Sequence, residues 1–353
     1  PVITVGRYTE PQFAELMVKE GRADLVAFGR QSLADPAMPK KAQEERLEDM
    51  TPCIACLQGC VANMYAGNPV CCLTNPFLGH EAEPLEKAEE PKKVMVIGGG
   101  VAGLSAAFIA KERGHEVTLY EAGDVLGGNM RLAAYPPGKG DITNMIRNYI
   151  HRCQKDGVKI VMNCEVTPEL IKEEKPDSVI IATGSKTLIL PIEGIDNPAI
   201  IHGSDLLDGK RAAGKKVLVV GGGMVGCETA AFLGEQEHDV TVIEFRDTVG
   251  ADVIHEHRVY LMKDFEDYGI KEITGAKVCK FYEDGVEYET ADGVRHESRG
   301  YDSVILSMGF RNYNPLEEKI KDLVPETHVI GDAIRARRAL DATKEAYEVA
   351  SRI

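Results

Sequence analysis

One pattern narrows the possible folds more than any other. Residues 93–123 read KVMVIGGGVAGLSAAFIAKERGHEVTLYEAG, and residues 216–246 read KVLVVGGGMVGCETAAFLGEQEHDVTVIEFR. Each stretch is strand, glycine-rich turn, helix, strand. The first carries Gly98-x-Gly100-x-x-Gly103 with Glu121 ending its second strand. The second carries Gly221-x-Gly223-x-x-Gly226 with Glu244 in the same place. An isolated G-x-G-x-x-G means little. Between a strand and a helix, with an acid about 20 residues on, it meets the requirements of a dinucleotide site. The first glycine permits the tight turn, the second lets a pyrophosphate approach the backbone, and the third lets helix and strand pack closely. The helix N-terminus offers positive potential to phosphates, and each glutamate can accept hydrogen bonds from ribose hydroxyls. A glycine turn without a ligand is the plainer alternative. It would not need strand, helix and acid in both copies.

The copies lie too far apart for a short-period solenoid; they are a duplicated fold unit. DSVIIATGS (177–185) lies between them as a strand with a sharp glycine turn. After the second copy, VCKFYEDGVEYETADGVRHE has the texture of a β-meander, with turns at Asp284-Gly285 and Asp292-Gly293. DSVILSMGF adds a strand, and HVIGDA (328–333) precedes a closing helix, ALDATKEAYEVASRI. Residues 1–36 read strand, helix, strand, turn. That is one βα unit plus the next strand, which cannot bury both faces alone and so belongs to a larger parallel sheet or barrel. The polar stretch 79–93, with Pro84 and Pro91, reads as a linker or exposed connection.

The 353 residues, 44% hydrophobic, suffice for two or three cored domains. With a net charge of -15 and no dense Lys/Arg run, the chain lacks the basic face that nucleic-acid binding needs. No apolar run reaches the roughly 18 residues of a membrane span, and PVITVGRYTE does not read as a signal peptide. The expected location is cytoplasmic. The start at Pro1 leads us to expect a piece of a longer polypeptide.

Five of nine cysteines crowd into TPCIACLQGCVANMYAGNPVCCLTNP, residues 51–76. Outside an oxidising compartment, clustered cysteines point to metal or redox chemistry rather than disulfides. Cys53-x2-Cys56-x3-Cys60 followed by a remote Cys71-Cys72 pair suits a [4Fe–4S] cluster, three thiolates from a tight loop and one from afar. Structural zinc more often uses two separated knuckles or Cys/His mixtures, and no histidine lies within 51–76. One of the adjacent Cys71 and Cys72 is spare. Cys153, Cys164, Cys227 and Cys279 are isolated, with no C-x-x-C among them, which disfavours disulfide reduction. Cys227, next to Gly226, reads as a small helix residue packed on the sheet.

Taken with Gly127-Gly128, ATG (182–184) and Gly331-Asp332, the first fingerprint resembles that of the two-dinucleotide-binding flavoproteins. By that resemblance FAD sits on Gly98, Gly100, Gly103, Glu121, Gly128, Gly331 and Asp332, and NAD(P)H on Gly221, Gly223, Gly226 and Glu244. A carboxylate at Glu244 bonds a free 2′-hydroxyl and repels a 2′-phosphate, so NADH is the expected form. Arg246, two residues on, leaves NADPH open.

The segments VGRYTEP, ADLVAFGRQSLADPAMPKKAQEERLEDMTPCIACLQGC, CLTNP and ALDATKEAYEVA, with the two fingerprints in order, resemble the old-yellow-enzyme-related iron–sulfur flavoproteins over essentially the whole chain. These include the 2,4-dienoyl-CoA reductase, 2-enoate reductase, NADH:flavin oxidoreductase and trimethylamine dehydrogenase types. The resemblance selects Cys72, with Cys53, Cys56 and Cys60, as the cluster ligand, and leaves Cys71 a buried small residue. It implies that residues 1–50 are the end of a (β/α)8 barrel that carries FMN and the substrate. Gly6, Arg7, Gly29 and Arg30 then fall where such barrels bind the FMN phosphate. Arg30 is the first choice, because a guanidinium grips phosphate in a fork. The plainer reading makes these arginines strand-end surface charges.

The expected fold class is therefore α/β: two Rossmann-like dinucleotide-binding domains preceded by the last barrel strands and an iron–sulfur loop. Expected boundaries are 1–50 for the barrel end, 51–90 for loop and linker, 91–200 with 301–353 for FAD, and 201–300 for NAD(P)H. The implied activity is an electron relay from NADH through FAD and [4Fe–4S] to FMN, reducing an activated C=C of a small-molecule substrate. No catalytic acid is identified. The alternatives are an amine dehydrogenase, a non-catalytic electron-transfer subunit and an NADH oxidase. A homo-oligomer is compatible with all of them.

Overall fold

The computed structural model describes residues 1–353, which form two units. The first comprises 1–131, 141–185 and 312–353; the second comprises 132–140 and 186–311. The second unit thus starts and ends outside the expected limits of 201 and 300. The strand Ile201–His202 is an edge strand of its sheet, so the segment leading into that strand belongs with it. The unit also takes in residues 132–140, where Lys139 ion-pairs with buried Glu228.

In the first unit five parallel strands run in the order Glu326–Val329, Ser178–Ile181, Lys93–Ile97, Glu116–Tyr120, Lys159–Val161. The central strands are buried on both faces, as a sheet covered by helices requires. The helix Val101–Glu112 is buried from Val101 to Ala110 and packs against the last helix, Ala339–Ala350. The unit also holds the two-stranded parallel pair Ile3–Val5 and Leu25–Ala27, joined by the helix Pro11–Lys19. Val2, Ile3, Val5, Phe13, Leu16, Val18 and Leu25 are exposed there. Apolar side chains exposed together in this way mark a face suited to packing against another surface.

The second unit repeats the plan. Its parallel order is Lys271–Ile273, Asp239–Ile243, Lys216–Val220, Ser303–Leu306, Ile201–His202. Lys216 pairs with Asp239 as Lys93 pairs with Glu116, so the two copies share register as well as sequence. The antiparallel meander Lys277–Tyr282, Gly285–Glu289, Arg295–Ser298 follows. Residues 79–91 contain neither helix nor strand.

Candidate cofactor sites

In the first fingerprint, close approach explains two glycines. A Cβ at Gly98 would lie 2.3 Å from the Ala182 carbonyl oxygen, and one at Gly103 would lie 1.9 Å from that of Gly98. A Cβ at Gly100 would meet nothing within 4 Å. The backbone there faces open space, as a cradle for a ligand must. Glu121 shapes the turn: Gly99 N–H donates to one carboxylate oxygen at 2.7 Å and Gly123 N–H to the other at 2.7 Å. Gly127 N–H donates to Gly99 O at 2.8 Å, and Gly128 lies so close that its Cβ would sit 3.2 Å from Gly100 Cα. Gly331 approaches the helix of the motif, its Cβ position 3.1 Å from that of Ala102. Asp332 accepts from Ser185 Oγ at 2.9 Å and from Arg337 N–H at 3.0 Å. The fold therefore brings Gly98, Gly100, Gly103, Glu121, Gly128, Gly331 and Asp332 to one end of one sheet, 234 positions of sequence notwithstanding.

The second fingerprint is built alike. A Cβ at Gly221 would lie 2.4 Å from Ser307 O, and one at Gly226 would lie 1.8 Å from Gly221 O. Glu244 accepts from Gly222 N–H at 2.5 Å and Arg246 N–H at 3.0 Å. One element was not expected from the sequence: Asp252 accepts from Met224 N–H at 2.9 Å, at the first residue of the helix Met224–Glu235.

The cysteine loop is the third site. Cys53, Cys56, Cys60, Cys71 and Cys72 line one small cavity with Arg30, Ile54, Leu57 and Leu73. Ala55 and Leu57 adopt left-handed conformations, φ 51° and 59°, which curl the loop inward. Such alternation turns successive N–H groups toward one concavity suited to an anion. Accordingly Ala55 N–H donates to the Cys53 sulfur and Gln58 N–H to that of Cys56. Burial pushes the Cys56 thiol up to about 12, reinforced by the negative potential of Cys72, Cys60 and Cys53. Burial also raises Cys53, against the pull of its N–H bond and of Arg30. Cys72 and Cys60 both act on Cys53 and Cys56; burial raises Cys71 as well, with Cys72 and Cys60 adding to it, and its sulfur accepts from Asn63 Nδ2 at 3.4 Å. Gly59 must be glycine, since its Cβ would lie 2.5 Å from Cys71 O. No three His, Cys, Asp or Glu side chains converge on one point tightly enough to hold a single ion. The five cysteines instead line one cavity, and an all-thiol donor set suits a multi-iron group whose thiolates bind separate irons.

The loop's frame comes from side chains far away in sequence. Gln31 is buried; its Nε2 donates to Thr51 O at 2.9 Å and its Oε1 accepts from Cys53 N–H at 2.8 Å. Asp35 accepts from Thr51 N–H at 2.9 Å. From the helix Asp141–Lys155, Asn148 donates to Met50 O at 3.0 Å and Tyr149 to Leu73 O at 3.0 Å. Sequence reasoning missed all four, because no spacing rule ties them to the cysteines. Arg30 lines the cysteine cavity, and Arg7 ion-pairs with Asp141. Gly29 ends the turn before the helix Arg30–Ala34. Elsewhere, Cys153 and Cys227 are buried, and that burial pushes both thiols up to about 12, as for packed rather than reactive cysteines. No helix is long and apolar enough to cross a membrane.

Residues 83–328 match the family model described as pyridine nucleotide-disulphide oxidoreductase, and residues 1–49 match the NADH:flavin oxidoreductase / NADH oxidase family. Over 362 residues the chain is 37% identical to the NADH oxidase of Thermoanaerobacter brockii, covering all of this chain and 55% of that one. Over 357 residues it is 34% identical to the cinnamate reductase of Clostridium sporogenes, covering all of this chain and 53% of the relative. A solved complex of 2-naphthoyl-CoA reductase superposes with a TM-score of 0.95 at 34% identity, over the whole of this chain and 54% of the other. The chain spans about half the length of these relatives. It belongs to the pyridine nucleotide-disulphide oxidoreductase family, in the form found in the old-yellow-enzyme-related iron–sulfur flavoproteins.

Proposed function

We propose that this chain is the NADH-accepting part of a flavin and iron–sulfur reductase whose barrel reduces an activated C=C bond, an enoate or enoyl thioester. The observation that carries the reading is the intact second cradle: glycines at every close approach, and Glu244 ordering the turn through Gly222 and Arg246. An amine dehydrogenase running outward to an external acceptor has no use for such a site. The relatives described as a cinnamate reductase and a 2-naphthoyl-CoA reductase support a conjugated, carbonyl-activated substrate.

In this reading Gly98, Gly100, Gly103, Glu121, Gly128, Gly331 and Asp332 hold FAD, and Gly221, Gly223, Gly226 and Glu244 hold NADH. Cys53, Cys56, Cys60 and Cys72 hold the cluster, and Gly29 and Arg30 face the FMN phosphate. When bound, the flavins accept electrons in pairs and release them singly, and the cluster passes them one at a time. The residues themselves bind and orient. Gly100 and Gly223 open the helix N-termini to pyrophosphate, Glu121 and Glu244 keep the turns in shape, and Ala55 and Gln58 turn their N–H groups toward the sulfurs. Such donors favour negative charge on sulfur and so raise the potential of whatever the sulfurs bind.

Flavin and metal analysis of the anaerobically purified full-length protein tests this. The expected result is FAD, FMN and about four irons per chain. One flavin with ADP in the first cradle would assign the amine dehydrogenase type, and an iron-free flavoprotein with stoichiometric zinc would end the cluster reading. NADH should be preferred over NADPH by about tenfold or more in flavin reduction, through Glu244.

A further inference from the structure

The two cradles differ in one respect that their sequences conceal. In the first, the position above Gly100 is open: apart from its chain neighbours, nothing lies within 4 Å of a Cβ placed there. In the second, the position above Gly223 holds a carboxylate. Both Asp252 oxygens lie there, 3.5 and 3.6 Å from a Cβ at Gly223, and one accepts from Met224 N–H at 2.9 Å. That N–H, at the start of a helix of 12 residues, is one a nucleotide pyrophosphate would use.

We propose that Asp252 is an internal stand-in for the pyrophosphate, which a nucleotide must displace on entering the second cradle. This rests on the reading of that cradle as a dinucleotide site. The loop is built so that only the side chain needs to move. Its backbone is fastened by Gly250 N–H to Gly222 O at 2.7 Å, and by Arg258, which donates to Thr248 Oγ1 at 2.9 Å and Val249 O at 3.1 Å. Asp252 itself is exposed, so its carboxylate has water within reach when it turns away from the helix end. The carboxylate satisfies the helix end while no nucleotide is present, and it sets the affinity: a ligand gains only the difference between two anions on the same N–H groups. Weakened capture of the dinucleotide is matched by faster departure of the oxidised product, which suits a site that must turn over, whereas the open first cradle suits a resident cofactor.

The test uses the flavin-loaded full-length protein and ADP-ribose, which carries the pyrophosphate but no nicotinamide to reduce the flavin. Calorimetric titration of the wild type and Asp252→Asn should show tighter binding in the variant by about three- to tenfold, the range expected of one anion at a helix N-terminus. The ligand-free variant should meanwhile melt no higher than the wild type, because its helix end has lost its anion. A loss of stability alone would lower affinity, so the two opposite changes together identify displacement. Equal or weaker binding by Asp252→Asn, with the wild type binding ADP-ribose, overturns the stand-in and leaves the cradle assignment intact. Failure of both proteins to bind ADP-ribose overturns the assignment of the cradle and the proposal with it.

Discussion

The first glycine cradle and the cysteine loop, both in the first unit, are candidate sites built by opposite means. The cradle is made of its own backbone: Gly98, Gly100 and Gly103 leave room, and Glu121 ties two N–H groups of the same βαβ segment. The cysteine loop supplies only sulfurs and a curl at Ala55 and Leu57. Its shape is imposed by Gln31, Asp35, Asn148 and Tyr149. A site made of local backbone is rigid before its ligand arrives. A site made of thiols that repel one another on ionising depends on the frame around it.

The sharpest contrast lies within the cradle. Gly103→Ala places a methyl 1.9 Å from Gly98 O and should destabilise the first unit by about 3 kcal/mol, with loss of FAD. Gly100→Ala meets no protein atom, so the melting temperature of the flavin-free protein should hold while flavin retention falls. If both variants retain FAD, the backbone does not form the site.

In the cysteine loop the equivalent contrast is between neighbours. Cys72→Ala should purify with the cluster iron largely lost, whereas Cys71→Ala should keep about four irons per chain. Cys72, like Cys60, acts on Cys53, Cys56 and Cys71 alike, whereas Cys71 accepts from Asn63 Nδ2 at 3.4 Å. Iron and sulfide assays decide. Reversed outcomes would exchange the two roles.

This difference in construction also explains what was legible. The duplicated α/β plan, the meander and the βα start were all readable, since each rests on patterns within some thirty residues. The glycines and their acids were readable for the same reason. Part of what these glycines avoid lies in their own motif, as Gly103 avoids Gly98, and the rest lies on a remote strand end, as Gly98 avoids Ala182. The cysteines could be recognised by spacing, yet their frame could not. Gln31 and Asn148 are ordinary polar residues in sequence, and only the fold places them on Thr51, Cys53 and Met50. Asp252 was missed differently. It lies 28 positions after Met224, in a loop whose path no periodicity dictates.

Gln31→Leu tests the borrowed frame directly. It keeps side-chain bulk but orphans the buried Thr51 carbonyl and the Cys53 N–H, at about 1–3 kcal/mol for each unsatisfied group. Iron should be lost faster to a chelator than in the wild type, with FAD content unchanged. Parallel loss of FAD would mean that the two sites are not independently framed.

The smallest effect concerns Asp49, just ahead of the loop. Burial works against its charge, but Lys155 at 2.5 Å, His151 at 3.0 Å and Arg46 at 3.1 Å outweigh burial and hold its carboxyl well below the usual carboxylate range. A carboxyl depressed by folding stabilises the native state above its unfolded-state value, about pH 4, and loses that contribution as pH falls toward the folded-state value. Asp49→Asn should therefore melt lower than the wild type at neutral pH, and the gap should narrow below about pH 4 as the wild-type carboxylate is protonated. Lys155 and His151 lie on the helix that also supplies Asn148 and Tyr149, so Asp49 clamps the entrance of the loop to the scaffold that shapes it. A gap that stayed constant with pH would show that the variant acts through packing. The loop would then be framed by its buried amide and hydroxyl bonds alone, with the surface charges idle.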